Sequence, residues 1–176
     1  MGECVAVLGP SGSGKSLLLR AIADLDPNEG EIRLGPQNRH EMEAPHWRQK
    51  VSFIPAESGW WADQVKEHFK ATHDPTKILD ALGLTEALNW EVSRLSTGER
   101  HRLAIARALQ TSPEALLLDE PTAALDSEAT EKVEALIEQQ KARGVPILLV
   151  THNPEQAQRL ASRSYSLKDG QLEVRE

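Results

Sequence analysis

Apolar positions along this chain fall into short unbroken runs separated by longer stretches of helical spacing. CVAVL (4–8), VSFI (51–54), ALLL (115–118) and ILLV (147–150) are apolar almost throughout. Strands of that kind are buried on both faces. KSLLLRAIADL (15–25) follows the first run and predicts a helix. A second helix begins near Thr97 and ends in ARALQ (106–110). A third runs from Glu128 to Arg143, with Val133, Leu136 and Ile137 on one face and Gly144 at its C′ position. Asn153 caps a fourth, with Pro154 in its first turn. EIRL (31–34) predicts a strand after the turn DPNEG. SYSL and QLEV flank Lys168-Asp169-Gly170 as a hairpin. Residues 62–90 read as helical pieces broken near Asp74-Pro75 and at Gly83. There is no internal repeat and no low-complexity tract. Apolar strands alternating with helices predict an α/β domain, its mainly parallel sheet flanked by helices on both faces.

Length and composition narrow the picture only a little. A chain of 176 residues makes one domain, or one domain with a small subdomain. The net charge of −7, with no long basic run, argues against non-specific nucleic-acid binding, which needs a positive surface to displace counterions. The single cysteine, Cys4, lies in an apolar run and reads as a small core residue, in keeping with a reducing compartment. No apolar stretch approaches bilayer length, and residues 1–20 carry no signal pattern. The chain is therefore expected in the cytoplasm, reaching a membrane only through a partner.

The first candidate site is GPSGSGKS (9–16), directly after a predicted strand and directly before a predicted helix. That context makes G-x-x-x-x-G-K-[ST] a phosphate cradle and not merely a glycine-rich turn. Gly9, Gly12 and Gly14 let the backbone turn tightly. Pro10, Ser11, Ser13 and Leu17 complete the loop and first helical turn, whose N–H groups face the phosphates. Lys15 is expected at the β- and γ-phosphates, and Ser16 at Mg²⁺. A nucleoside triphosphate is the implied ligand. The second site is the end of ALLLDEPTAALD (115–126). There Asp119 is expected to complete the Mg²⁺ shell, and Glu120 to orient or deprotonate the attacking water.

LSTGERHRLAIARAL (95–109) then resembles the signature segment of ATP-binding cassette (ABC) ATPases, commonly LSGGQ, here with Thr97 and Glu99 at the third and fifth places. GPSGSGKS, LLLDEPTAALD with Asp126, and Thr151-His152-Asn153 after ILLV agree with that family in order and spacing. The resemblance implies a P-loop NTPase fold: a core at 1–55 and 96–176, a helical subdomain at about 56–95, and an antiparallel β-subdomain that is incomplete at the N-terminus. It implies ATP and Mg²⁺ as cofactors. It also implies a head-to-tail homodimer formed on ATP binding, in which Ser96, Thr97, Gly98 and Glu99 of one subunit close on the γ-phosphate held by the other, with Asp126 and His152 nearby. The function implied is the ATP-hydrolysing subunit of a transporter working through a separate membrane permease at the inner face of the membrane. The chain is similar to short stand-alone cassettes that pair with a small permease, some linked to metal export. A non-transport or regulatory ABC-type ATPase with weak hydrolysis is the alternative.

SFIPAESGWW (52–61) departs from the family pattern. A glutamine usually follows this strand and touches Mg²⁺ and the attacking water. Here Pro55 is followed by Ala56, whose methyl can do neither, and Glu57 is one residue further on. Two of the four tryptophans, Trp60 and Trp61, stand side by side in this loop. Two readings stay open for them: an anchor for the permease, or packing of the helical subdomain. The resemblance also implies an upstream segment carrying an aromatic residue that stacks on adenine. Without it, adenine is expected to be loosely held and the EIRL region to present an open edge.

Overall fold

The computed structural model describes residues 2–175. Its centre is a six-stranded sheet in the order β4-β5-β6-β1-β7-β8. The strands are β1 (Cys4–Leu8), β4 (Val51–Ile54), β5 (Ala115–Asp119), β6 (Ile147–Val150), β7 (Arg163–Lys168) and β8 (Gln171–Arg175). The first five run parallel, with Val5 level with Leu148 on one side and with Arg163 on the other. β8 turns back antiparallel on β7. A separate two-stranded hairpin joins β2 (Arg33–Leu34) to β3 (Gln37–Asn38).

Alternation along each strand explains why both faces must be covered. Leu116 and Leu118 of β5 pack on one face with Ile147, Leu149 and the apolar sides of α4 (Thr97–Leu109) and α5 (Ser127–Ala142). Ala115 and Leu117 pack on the other with Val7, Val150, Leu19 of α1 (Lys15–Ile22) and Trp47 of α2 (Ala44–Lys50). Each large aliphatic side chain taken out of water on these faces contributes about 1.5–3 kcal/mol. Val133, Leu136 and Ile137 are the buried face of α5, as their spacing requires, and Gly144 follows that helix with φ +90°. Leu160 of α6 (Pro154–Leu160) joins the first face, together with Val65, Leu79, Leu82, Leu84 and Ala87 from the segment between β4 and α4.

Several expectations are corrected. The helix expected over 15–25 ends at Ile22, because Asp24 takes a left-handed φ of +59° that a helix cannot continue through. The Asp24 carboxylate pairs with Arg39, and its carbonyl accepts from Arg48 Nη2 at 2.6 Å, so the turn is held from outside the helix. EIRL forms a strand only at Arg33–Leu34, and it pairs with β3. Helix α2 has no counterpart in the sequence reading, although Pro45 in its first turn marks the start. Its Trp47 is almost wholly buried and donates from Nε1 to Ile22 O at 2.9 Å, pinning α2 to α1. Between 62 and 90 the pieces are mostly single 3₁₀ turns, with one true helix, α3 (Thr76–Ala81), ending before Gly83.

Candidate functional site

The loops that leave β4, β5, β6 and β1 all emerge from the carboxyl ends of adjacent parallel strands. That end of an open α/β sheet is where ligands bind. The topology thus brings GPSGSGKS after β1, Asp119-Glu120 at the end of β5, Thr151-His152 after β6 and Pro55-Ala56 after β4 to one edge.

Gly14 is the N-cap of α1, in the left-handed region at φ +97°. The first N–H groups of α1 have no acceptor within the helix, as at any helix start. Gly9 has a steric reason as well. A Cβ there would lie 2.6 Å from the Leu167 carbonyl of β7, so a side chain would push the loop off the sheet. Lys15 Nζ donates to Gly9 O at 2.8 Å and to Pro10 O at 2.9 Å, so the ammonium is held over the loop. Ser13 N donates to Pro10 O at 3.2 Å, and the Ser13 hydroxyl is buried without a partner. Pro10, Ser11, Gly12, Ser16 and Leu17 line the exposed or half-exposed rim. Leu17 is 65% exposed, a large apolar side chain left bare beside the cradle.

Asp119 is buried at the end of β5. Glu120 follows it in the left-handed region at φ +51°, a conformation that strains a residue with a Cβ and clusters at functional sites. The strain is held by Glu120 N donating to Val150 O at 2.9 Å, across to the strand that ends in His152. That backbone tie brings the side chains together: His152 Nδ1 stands 2.8 Å from Glu120 Oε2. The carboxylate is mostly covered and the imidazole mostly exposed, so His152 is the more accessible member of the pair. Thr151 is buried, and its hydroxyl accepts from Asn153 N at 3.1 Å. Asn153 Oδ1 accepts from Glu155 N and Gln156 N, fixing the start of α6 as its sequence predicts.

The signature segment opens α4. Ser96 is the N-cap, and its hydroxyl accepts from Glu99 N at 3.2 Å. The Glu99 carboxylate reaches back to accept from Ser96 N and Ser96 Oγ, both at 2.8 Å. This is a complete capping box, legible in S-x-x-E and absent from the sequence reading. Thr97 is exposed beside it. Gly98 packs against the turn that carries Asp126: a Cβ there would meet Ala124 O at 3.2 Å and Leu125 Cδ2 at 3.3 Å. Asp126 caps its own helix, accepting from Ala129 N at 2.8 Å.

The loop after β4 lies over α4. Ala56 and Glu57 are both exposed, and no described hydrogen bond or ion pair involves Glu57. His101 is buried beneath them, against the carbonyls of Ala56 and Pro121; burial pushes its imidazole below the ordinary histidine range, and those two carbonyls oppose the shift. Trp60 is half-buried on the core, whereas Trp61 is 72% exposed. Both rings meet His68 edge-on, at 4.7 and 4.4 Å between centroids. The Arg107 guanidinium of α4 lies 4.9 Å from each ring centre and donates to Gly59 O at 3.1 Å. Burial lowers the pKa of Arg107 below the ordinary guanidinium value. Beside this cluster runs a groove of about 300 Å³ lined by Leu25, Arg48, Phe53, Pro55, Lys70 and Arg107, among others.

An oxygen donor set suits a small hard cation, and the Ser16 hydroxyl and Asp119 carboxylate at this edge fit Mg²⁺ on that ground. Among the described residues no three His, Cys, Asp or Glu side chains gather as a metal cluster, and no helix is long and apolar enough to cross a membrane.

A mainly parallel sheet flanked by helices, with the glycine-rich loop after β1 and a Glu–His pair at the ends of the neighbouring strands β5 and β6, is the P-loop NTPase fold. The ABC transporter family model matches residues 1–123, and the chain belongs to that family. It is 32% identical to the phosphate import ATP-binding protein PstB 2 of Natronomonas pharaonis, over 97% of this chain and 69% of that protein. It is 39% identical to the aliphatic sulfonates import ATP-binding protein SsuB 2 of Paracoccus denitrificans, over 96% of this chain and 68% of that one. It spans only 29% of the macrolide export ATP-binding/permease protein MacB 1 of Yersinia pestis, at 32% identity. Among solved structures it superposes with a TM-score of 0.77 and 31% identity on a dimeric ATP-binding cassette in a post-hydrolysis state bound to ADP and Pi, over 98% of this chain and 84% of that one. A bacterial Atm1-family ABC exporter with ATP bound shares the fold, with a TM-score of 0.88 over 98% of this chain and 33% of that one. The chain is an ABC-type ATPase.

Proposed function

We propose that this chain binds and hydrolyses ATP to power transport through a separate membrane permease. The observation that carries the reading is the 2.8 Å contact of Glu120 with His152 at the edge that also carries the phosphate loop. Lys15, released from the carbonyls of Gly9 and Pro10, neutralises the β- and γ-phosphates, and the N–H groups from Gly12 to Leu17 cradle them. Ser16 and Asp119 would hold Mg²⁺, which would screen the phosphate charge. Glu120 accepts a proton from the attacking water or aligns it, and His152 turns from Glu120 toward the γ-phosphate.

The head-to-tail homodimer brings the α4 N-terminus of one copy, at Ser96 to Glu99, to the γ-phosphate held by the other. Gly98 against Ala124 and Leu125 links that surface to Asp126 and the turn bearing Glu120. Residues 1–55 and 96–176 form the nucleotide core and 56–95 the helical subdomain. The permease docks in the groove beside Trp61, which holds the chain at the inner face of the membrane. The alternative, a regulatory cassette with weak hydrolysis, draws on the loop after β4: the Ala56 side chain has no polar atom, and Glu57 is exposed to solvent.

The deciding experiment is Mg-ATP turnover by the chain, by Glu120→Gln and by Ala56→Gln. Turnover that falls at least about a hundredfold in Glu120→Gln supports the hydrolytic reading. Turnover seen only in Ala56→Gln favours the regulatory one. Turnover unchanged in Glu120→Gln overturns the assignment of the carboxylate.

A further inference from the structure

Behind the Glu120–His152 pair lies a buried polar chain that neither the phosphate chemistry nor the fold requires. Gln156 of α6 is 1% exposed. Its Nε2 donates to Thr122 Oγ1 at 2.7 Å and to Glu134 Oε1 of α5 at 3.1 Å, while its Oε1 is buried with no partner. Glu134 in turn receives both arms of Arg159, at 2.9 and 2.7 Å. Burial raises the Glu134 carboxyl pKa, but its bonds from Arg159 and Gln156 outweigh this and leave it below the ordinary range, so it stays an acceptor. An orphaned acceptor and a fully buried amide are costly features that an apolar side chain would avoid.

The positions of the two ends explain the arrangement. Thr122 sits two residues after Glu120 in the turn leaving β5, and Gln156 sits four after His152 in the helix leaving β6. The contacts Glu120–His152 and Thr122–Gln156 therefore close a ring through two short pieces of backbone. One link of that ring is exposed and able to open, and the other is buried and fixed. We propose that Gln156 is a positioning residue for hydrolysis: it locks the turn bearing Glu120 to the helix start bearing His152, so that the imidazole moves against a carboxylate of fixed place. The proposal rests on the roles given above to Glu120 and His152.

Three variants test it: Gln156→Leu, which is of similar size and removes the donor; Thr122→Val, which removes the acceptor at the other end; and Thr122→Ser, which keeps that acceptor. Expected in Gln156→Leu and Thr122→Val is a kcat about ten- to a hundredfold lower with KM for Mg-ATP unchanged, since a small misplacement of a catalytic group has that effect. Thr122→Ser should keep kcat within about threefold of the wild type. In the nucleotide-free protein, the His152 imidazole ¹⁵N resonances should move in Gln156→Leu and Thr122→Val in the direction they move in Glu120→Gln. If Gln156→Leu does not fold, Thr122→Val decides. A folded Thr122→Val with wild-type kcat and unmoved His152 resonances overturns the proposal. Losses in kcat and thermal stability that are the same in Thr122→Ser as in Thr122→Val also overturn it, as those of a merely structural contact. Unchanged turnover in Glu120→Gln would instead sink the underlying reading and leave the resonance measurement to judge the ring.

Discussion

His152 Nδ1 stands 2.8 Å from Glu120 Oε2, so two residues 32 apart in sequence meet across the ends of neighbouring strands. The backbone bond from Glu120 N to Val150 O makes the meeting unavoidable once β5 and β6 pair. Glu120 is also the residue that bears the left-handed strain. Replacing it with glycine should relieve about 1 kcal/mol or more of that strain while removing the carboxylate. Glu120→Gly is therefore expected to melt at or above the wild-type temperature and to lose turnover. Calorimetry beside an ATPase assay separates the two effects.

Trp60 and Trp61 are adjacent in sequence but unequal in burial. Trp60 packs on the core and Trp61 faces solvent. Trp60→Ala should destabilise the chain by about 2–4 kcal/mol in urea melts. Trp61→Ala should lower stability by about 1 kcal/mol or less, the value of an exposed cation–π contact with Arg107. Its larger effect should be on stimulation of turnover by membranes containing the permease. Equal stability losses in both variants, with stimulation intact, would end the docking role proposed for Trp61.

His101 supplies a pH dependence of stability. Burial holds its folded-state pKa below the ordinary value of 6.5. As pH falls through that value the unfolded chain takes up a proton that the folded chain resists, so stability is full at neutral pH and declines on acidification. His101→Gln should flatten the fall in melting temperature between about pH 7 and about pH 5. An unchanged slope would assign the acid sensitivity to the carboxylates instead.

Cys4 is fully buried in β1, and burial pushes its thiol up to about 11. An alkylating reagent at neutral pH should leave the folded protein unmodified and label it only as it unfolds. The labelling rate then reports opening of the central sheet. Rapid labelling of the native chain would contradict the placement of β1 between β6 and β7.

Ser96 and Glu99 satisfy each other at the start of α4, with three bonds between them. Glu99→Ala should destabilise the chain by about 1 kcal/mol, whereas Glu99→Gln keeps the reach and should lose less than half of that. Urea midpoints measured on the two variants decide whether the acid at this place serves the helix.

The sequence by itself determined the parts whose cause is local. Unbroken apolar runs read as doubly covered strands, Asn153-Pro154 starts a helix well, and GPSGSGKS turns the chain between β1 and α1 as its glycines require. The order of those pieces along the chain also placed Asp119, Glu120 and His152 at strand ends. Other features depended on contacts between distant segments. Helix α1 stops early because Arg39 and Arg48 hold Asp24 from 15 and 24 residues away. Helix α2 exists because Trp47 finds a pocket and the Ile22 carbonyl. The two tryptophans are similarly close to His68 and Arg107, and they differ because only Trp60 also packs against the core that distant segments build. Gln156, an unremarkable polar letter in a surface-like helix, becomes fully buried only when α5, α6 and the turn after β5 close around it. Burial of that kind is a property of packing, which no periodicity along one segment can announce.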